Sequence, residues 1–353
     1  MQLVAMGAQD VFLTGNPQIT FFKVVYRRHT NFSKECIKQE FNGSGASLTC
    51  TLSRNGDLVQ EIYLHGSAKG AYAEDVTSKV VKTVEVEIGG QKIDKHYGAW
   101  LDIYNELFEV NHDYQAAMSD GADAGTPEVF IPLRFWFNRN PGLALPLIAL
   151  QYHEVKVLVE MNETDSLANP DLLVNYVYLD TDERRRFAQV SHEYLIEQVQ
   201  HTGTESVGAS GASVTLTYNH PVKALFWRGF AANKTYTAKL QLNGHDRFTE
   251  QTNRYFHLVQ PYECGLGVHG KTMGATDNKW VSSVGGSNTS AMYSFCLKPG
   301  EHQPSGSCNF SRIDNARLVI GGSPGGDTSL NVFALNYNVL RVMSGMGGLT
   351  YSN

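Results

Sequence analysis

Apolar and polar residues alternate with a period of two along much of the chain. Residues 80–88 (VVKTVEVEI) alternate up to Gly89-Gly90, and residues 238–242 (AKLQL) alternate up to Asn243-Gly244. This pattern is typical of half-buried strands, and the glycines allow the positive φ of a tight hairpin turn. Similar strand signals occur at residues 11–13, 37–41, 58–64, 155–160, 174–179, 195–199, 214–218, 225–230, 317–320 and 332–339.

Helical periodicity is confined to a few short segments. The clearest is residues 100–108, in which five large side chains share one helical face: Trp100, Ile103, Tyr104, Leu107 and Phe108. Many short strands at close spacing, separated by Gly, Asn and Pro turns, are typical of sandwiches and barrels. The pattern therefore predicts an all-β fold with few short helices.

The two halves of the chain repeat the same pattern of apolar residues and glycines. Four positions recur at a constant offset of 163 residues: Val59, Ile62, Leu64 and Gly66 match Val222, Leu225, Trp227 and Gly229. Matches that begin at Val86 and at Phe135 recur at offsets of 154 and 160. Because loops tolerate insertions, offsets that change only across loops indicate two copies of one β-domain. We predict an N-terminal arm at 1–30, a first domain at 31–205 and a second at 206–353, joined through the linker-like residues 203–213.

Composition narrows the choice of function. Of the 353 residues, 42% are hydrophobic, which excludes intrinsic disorder. The net charge of −6 argues against general nucleic-acid binding, which requires a basic face. Charged residues make up only 18%, against about 25% in typical soluble domains. A surface this poor in charge is unusual for a free monomer.

No targeting or redox motif stands out. Residues 1–6 lack a basic leader, and the longest apolar run, residues 143–150, is much shorter than the roughly 20 residues that span a bilayer. The five cysteines form no CxxC pair, so we expect reduced thiols and no bound metal. Among the N-x-[ST] sequons, Asn288 lies in a Gly/Ser-rich stretch and is the one candidate glycosylation site.

One stretch matches the GxxxxGK[ST] phosphate-binding pattern. Its matching residues are Gly265, Gly270, Lys271 and Thr272. A P-loop needs a buried strand before the loop and a helix after it. Pro261 and Glu263 are unsuitable for a central strand, and residues 273–279 carry no helical stripe. We interpret the match as coincidental and predict a surface loop without a nucleotide cofactor.

No other group of residues indicates catalysis. The chain has neither an HExxH nor a GxSxG motif. The basic runs at 27–28 and 184–186 could bind phosphate or carboxylate, but such runs more often form solvated loops or inter-subunit ion pairs. Paired carboxylates on a β-sandwich, as in glycosidases, leave no mark in a sequence. We therefore assign no catalytic, cofactor-binding or metal-binding residue.

Four longer blocks of sequence are much more specific than these short motifs. They are residues 7–32 (GAQDVFLTGNPQITFFKVVYRRHTNF), 134–153 (RFWFNRNPGLALPLIALQYH), 293–312 (YSFCLKPGEHQPSGSCNFSR), and 336–341 with 345–349 (NYNVLR, GMGGL). The chain strongly resembles the major capsid proteins of nucleocytoplasmic large DNA viruses in these blocks, which cover both halves and both ends in family order.

The resemblance implies two tandem eight-stranded antiparallel jelly rolls in one chain. It further implies a late viral structural protein that assembles in the host cytoplasm as a homotrimer. Its six jelly rolls would form a pseudo-hexagonal capsomer that tiles an icosahedral shell. The expected partners are neighbouring capsomers, minor capsid and penton proteins and an internal viral membrane, without direct contact to nucleic acid. The loops are short for this family, which leaves a capsid paralogue at special positions as an alternative.

Two other classes of function compete with a non-enzymatic shell protein. A β-sandwich lectin or glycosidase could share the architecture, since a fold does not determine a function, and soluble-glycan binding would distinguish it. An NTPase would release phosphate. Under the capsid interpretation, we expect the aromatic arm of residues 1–31 at the inner side of the shell or at subunit contacts.

Overall fold

The computed structural model describes residues 7–43, 45–68, 76–109, 128–162, 167–230, 235–266, 271–273, 280–282, 290–323 and 328–351. The chain forms two units, which we call the arm (Met1–Asn31) and the body (Phe32–Asn353). The arm contains one short helix, α1 (Ala8–Thr14), and its described residues up to β1 at Phe32 form no further helix or strand. None of the described helices is long and apolar enough to cross a membrane.

The first half of the body contains two antiparallel sheets. One has the order β1-β9-β3-β6, with β7 added beside β3, and the other has the order β2-β8-β4-β5. The strands are β1 (Phe32–Glu40), β2 (Ser47–Thr51), β3 (Leu58–Ala68), β4 (Val81–Ile88), β5 (Gln91–Tyr97), β6 (Glu128–Pro132), β7 (Leu145–Pro146), β8 (Val155–Met161) and β9 (Leu167–Leu179). The helices are α2 (Val76–Val80), α3 (Gly98–Phe108) and α4 (Trp136–Arg139).

The second half begins after α5 (Thr181–Gln189) and has the same arrangement. One sheet has the order β10-β21-β12-β18, with β19 and β22 at its margins, and the other has the order β11-β20-β13-β14, with β15. The strands are β10 (His192–Val207), β11 (Ala212–Thr215), β12 (Pro221–Arg228), β13 (Thr235–Leu242), β14 (His245–Asp246), β15 (Gln251–Thr252), β16 (Lys271–Met273), β17 (Trp280–Ser282), β18 (Ala291–Ser294), β19 (Cys308–Asn309), β20 (Ala316–Ser323), β21 (Thr328–Met343) and β22 (Met346–Leu349). Helix α6 (Gln260–Glu263) follows a π-helical turn, and β16 pairs with β17 in a separate two-stranded sheet.

The two halves correspond strand by strand. In the first sheet of each half, β3 and β12 occupy the same place, and in the second sheet β4 and β8 correspond to β13 and β20. These strands carry most of the repeated residues, whereas the offset-160 matches of Phe135 and Phe137 with Phe295 and Leu297 lie outside them. Each half thus has two facing four-stranded paths, which confirms the predicted fold of two tandem eight-stranded jelly rolls.

Equivalent hairpins in the two halves confirm the predicted turns. The turn between β4 and β5 has φ values of 60° at Gly89 and 80° at Gly90. The turn between β13 and β14 has φ values of 51° at Asn243 and 79° at Gly244. Positive φ at both central residues is the geometry whose twist matches the flanking strands.

The predicted linker lies inside a sheet of the second half. Strand β10 extends through Val207 and shifts register between His201 and Thr204, where Gly203 adopts a φ of 122°. The glycines of this stretch therefore form a β-bulge and the tight connection to β11 instead of a free linker. The domain bounds 1–30, 31–205 and 206–353 stay a prediction. Because β10 pairs with β21 of the second half, the structure favours placing the boundary between the two jelly rolls earlier, within residues 180–191.

Two local predictions have opposite outcomes. The amphipathic helix expected at residues 100–108 is present as α3, and it buries Trp100, Ile103 and Leu107. The strand expected at residues 11–13 is wrong, because these residues lie in α1. The arm offers no neighbouring strand in the described residues, so the backbone forms a local bond instead, from Gly15 N to Val11 O at 2.8 Å.

Candidate assembly site: the arm and the jelly-roll junction

The arm exposes a dense set of large apolar side chains. Every described arm residue is exposed, and Phe12 and Phe22 are 91% and 98% accessible. The exposed set consists of Val11, Phe12, Leu13, Ile19, Phe21, Phe22, Val24, Val25 and Tyr26. Nine such residues within 16 positions exceed what isolated surface residues explain, and they mark the arm as a contact segment.

Charge also distinguishes the arm from the body. The arm contains three basic residues (Lys23, Arg27 and Arg28) and one acidic residue (Asp10), so its net charge is +2. The total net charge is −6, so residues 32–353 have a net charge of −8. The arm is thus a cationic, aromatic segment on an anionic protein. Opposite net charges favour the approach of an arm to the body of another copy.

The body has its own exposed apolar patch at the turn between β21 and β22. We call this surface the hairpin patch; it consists of Tyr152, Met343 and Met346, whose side chains are 76%, 53% and 51% exposed. Met343 and Met346 are cross-strand partners, and Tyr152 N donates to Gly345 O at 3.0 Å. The patch is therefore held by backbone pairing and presents its side chains outward.

The two jelly rolls share one continuous core. Helix α3 of the first half places the Trp100 ring 5.3 Å from Phe226 and 5.8 Å from Phe333 in the second half. Phe108, at the end of the same helix, lies 5.6 Å from Phe226. Because buried residues of both halves belong to this cluster, the two jelly rolls are fixed to each other by packing.

A buried ion triad also joins the halves. Glu197 on β10 accepts from Lys223 Nζ at 2.5 Å and from Arg139 Nη1 at 2.7 Å. The Lys223 side chain is fully buried, and its Nζ also donates to Glu301 O at 3.0 Å. Both oxygens of one carboxylate are therefore engaged by cations, one from each jelly roll.

A second buried polar contact lies further along α3. Glu106 accepts from Ser290 Oγ at 2.5 Å and from Ser290 N at 3.2 Å, and Arg228 Nη1 lies 3.4 Å away. The carboxylate of Glu106 is 1% exposed. Buried carboxylates need such donors, so this contact fixes the position of α3 against the second half.

The pKa values of two histidines near the junction are lowered by burial, which favours the neutral form. Burial lowers the pKa of His96, whose ring stacks on Phe135 at 4.4 Å, although the Asp94 carboxylate 2.9 Å away opposes the shift. Arg139 lowers the pKa of His96 further. Burial likewise lowers the pKa of His201, against the opposing effect of its bond to a backbone carbonyl.

Acidification is therefore expected to destabilise the protein. Below a pH of about 6.5 the unfolded chain protonates both histidines, whereas the folded chain, with lowered pKa values, does not. The free energy of unfolding should fall by up to about 1.4 kcal/mol per pH unit for each histidine until its folded pKa is reached. Urea denaturation at pH 7.5 and 5.5 measures this difference, and His201→Gln should reduce it. A stability that stays constant or rises on acidification would contradict the expectation.

Three of the four matching residues of the GxxxxGK[ST] pattern lie in elements that differ from those of a P-loop. Gly265 follows helix α6 and not a strand, and Lys271 and Thr272 lie in strand β16 and not at the start of a helix. Gly270 and the candidate glycosylation site Asn288 lie outside the described residues. The coincidental nature of the match stays our prediction, and the order of elements supports it.

The basic run at 184–186 and the buried His257 do not form a common site. Arg184 on α5 pairs with Asp57 at 2.9 Å, whereas Arg185 and Arg186 are not buried. His257 is buried between Tyr236 and Ser290, at 3.2 and 2.7 Å. In the part of the chain that the structure describes, no three His, Cys, Asp or Glu residues gather as a metal site.

Sequence reasoning missed the ion triad. Lys223 interrupts the apolar run 221–226 (PVKALF) on β12, and a lysine in such a run was a usable signal for a buried partner. Glu197 and Arg139 carried no comparable signal. These two residues are 58 positions apart in sequence, and their pairing depends on the contact between the two halves.

Two family models match the chain. The model described as "Major capsid protein N-terminus" matches residues 20–180. The model described as "Large eukaryotic DNA virus major capsid protein" matches residues 183–229 and 279–348. The first family model ends and the second begins between β9, the last strand of the first half, and β10, the first strand of the second half.

Whole-length relatives carry the same name. The major capsid protein of Pyramimonas orientalis virus is 52% identical over 399 residues, covering 100% of this chain and 99% of the relative. That of Paramecium bursaria Chlorella virus 1 is 40% identical over 450 residues, with the same coverage. Both alignments are longer than the 353-residue chain, so these relatives contain additional residues.

Solved capsid structures share the fold. A chain of the PBCV-1 virus capsid superimposes with a TM-score of 0.80 at 35% identity, covering 95% of this chain and 100% of that one. The Faustovirus major capsid protein superimposes with a TM-score of 0.71 at 12% identity, which supports the fold alone; it covers 96% of this chain and 94% of that one. The chain therefore belongs to the major capsid proteins of large eukaryotic DNA viruses, double jelly-roll structural proteins that form the shell of the virion.

Proposed function

We propose that three copies of this chain form a pseudo-hexagonal capsomer and that such capsomers tile an icosahedral shell. The observation that carries the proposal is the shared core around Trp100, Phe226 and Phe333, which fixes the two jelly rolls as one block. Three rigid blocks of two equivalent jelly rolls supply six similar units around a threefold axis. A flexible link between the jelly rolls would not maintain that outline.

The surfaces for this assembly are the arm and the hairpin patch. Large, apolar contacts are typical of obligate oligomers, and both surfaces expose large apolar side chains. We assign the arm to subunit contacts or to the inner side of the shell. Its positive charge complements the −8 of residues 32–353 in a neighbouring copy.

We propose a purely structural role, without a catalytic step. The family match supports this role. The strand β16 also supports it, because it contains Lys271 and Thr272 of the GxxxxGK[ST] match, where a P-loop would begin a helix. Minor capsid proteins, penton proteins and an internal membrane are the proposed partners, with assembly in the host cytoplasm. The negative charge of the body disfavours direct contact with nucleic acid. Acanthamoeba polyphaga mimivirus has relatives named "Capsid protein 1" and "Probable capsid protein 4", so a paralogue at special positions remains the second candidate.

The trimer should persist on dilution. Sedimentation velocity of the purified full-length protein from about 10 μM to 0.1 μM should give a constant coefficient for three chains of 39.1 kDa, as expected of an obligate interface. Replacing Phe12, Phe21 and Phe22 together with serine tests the contribution of the arm. A monomer at micromolar concentration in the unmodified protein would contradict the proposal.

A further inference from the structure

A cavity of about 220 Å³ lies where the two jelly rolls meet, and no assembly contact described above uses it. The first half contributes the aromatic side chains of Tyr104, Phe108 and Trp136 to its wall, and Arg139 lies beside them. The second half contributes His302 among others. The wall therefore combines an aromatic side with polar and charged groups, so it can bind an apolar group and orient a charged one.

The ion triad beside this cavity carries an excess of positive charge. Among the described residues, Glu197, which also lines the cavity, is the one carboxylate in direct contact with both Arg139 and Lys223. One negative charge is thus in contact with two positive charges. The side chain of Glu197 is 8% exposed, that of Arg139 is 13% exposed and that of Lys223 is 0% exposed. An unbalanced charge in such a buried position is costly unless another anion compensates it.

Arg139 also has an unused hydrogen-bond donor. Its Nε donates to Arg134 O at 2.7 Å, and its Nη1 donates to Glu197 at 2.7 Å. Its Nη2 is buried and has no partner among the described residues. A buried donor without an acceptor costs about 1–3 kcal/mol. Nη2 is closed to solvent, so the guanidinium must turn to present this donor to the cavity.

We propose that this junction cavity binds a small organic carboxylate. The carboxylate pairs with the Arg139 guanidinium and compensates the excess charge of the triad. The apolar part of the ligand lies against Tyr104, Phe108 and Trp136. A doubly charged inorganic phosphate fits less well, because it would overcompensate the single excess charge and leave the aromatic wall without a partner. Because residues of both jelly rolls line the cavity, the ligand stabilises their junction.

Isothermal titration of the full-length protein with benzoate and hexanoate tests the proposal. Saturable binding and a raised unfolding temperature are expected with at least one of these two carboxylates. Hexylamine, phosphate and chloride at the same ionic strength should bind at least tenfold more weakly. Arg139→Gln should weaken carboxylate binding by about ten- to hundredfold, since a charge-assisted hydrogen bond contributes about 1.5–3 kcal/mol. This variant should fold, because Lys223 still neutralises Glu197.

Two further variants complete the test. Arg139→Lys keeps the charge without the planar fork and should show intermediate affinity, whereas Arg185→Gln removes an exposed cation on α5 and should bind as the unmodified protein does. Three results would overturn the proposal: no saturable binding by either carboxylate, equal binding by Arg139→Gln, or binding of phosphate as tight as that of the carboxylates. The first of these would show that the cavity holds only water.

Discussion

Replacing Trp100 with alanine is expected to lower the free energy of unfolding by about 3–5 kcal/mol, the usual cost of removing a large buried aromatic side chain. Trp100 is completely buried, and it contacts Phe226 and Phe333 of the second jelly roll from α3 of the first. The cavity left by the substitution would lie in the shared core. Both jelly rolls, and not only the first, should therefore lose stability.

Chemical denaturation at one fixed protein concentration measures this effect, because the stability of an oligomer depends on concentration. Trp100→Phe should cost less, since it keeps an aromatic ring and removes an indole N–H that has no partner among the described residues. Tyr262→Ala removes an aromatic side chain that is 80% exposed and serves as the control. A loss below about 1 kcal/mol for Trp100→Ala would show that the junction is not tightly packed.

Replacing Glu197 with glutamine is expected to cost about 3–5 kcal/mol, the usual effect of removing one partner of a buried ion pair. The substitution preserves the shape of the side chain and removes the negative charge that Lys223 and Arg139 share. Lys223 suffers most, because its side chain is fully buried and cannot reach water. The measurement is the same denaturation, at a pH near 7.5.

The same strand provides the matched control for this prediction. Glu193 on β10 pairs with Arg341 at the surface, where the two side chains are 58% and 50% exposed, so Glu193→Gln should change stability by less than about 1 kcal/mol. The double variant Glu197→Leu/Lys223→Met should be more stable than Glu197→Gln, because it removes the buried ammonium together with its partner. It should not recover the full loss, because Arg139 still loses its carboxylate. Equal effects of Glu197→Gln and Glu193→Gln would contradict a buried triad.

The parts of the fold that the sequence predicts are those set by local rules. The alternation at residues 80–88 and the Asn243-Gly244 turn specify strands and hairpins through side-chain period and backbone φ, without knowledge of the rest of the molecule. The repeat at offsets of 163, 154 and 160 then predicts two copies of one sheet arrangement. The capsid family follows from long sequence blocks, which the comparisons confirm.

The features that escape prediction depend on contacts distant in sequence. The glycines near Gly203 resemble a linker, but in the presence of β21 they form a bulge in β10. The apolar residues at 11–13 resemble a strand, but without a paired strand they form α1. The triad of Arg139, Glu197 and Lys223 exists only because the two jelly rolls meet. Local periodicity of the sequence contains no information about how the two jelly rolls pack against each other.

The low charge content of the chain agrees with a protein that contacts copies of itself. Charged residues make up 18%, while the described part of the arm exposes nine large apolar side chains and the hairpin patch exposes three. Interfaces are depleted in lysine and glutamate, because burying such charges costs desolvation. Solubility of the isolated chain is therefore expected to depend on formation of the oligomer.

Electron microscopy of the purified full-length protein tests the proposed assembly most directly. Class averages are predicted to show particles with threefold symmetry and a pseudo-hexagonal outline, in which each chain contributes two jelly rolls of the same sheet arrangement. Isolated single chains, or rings of any other symmetry, would contradict the proposed capsomer.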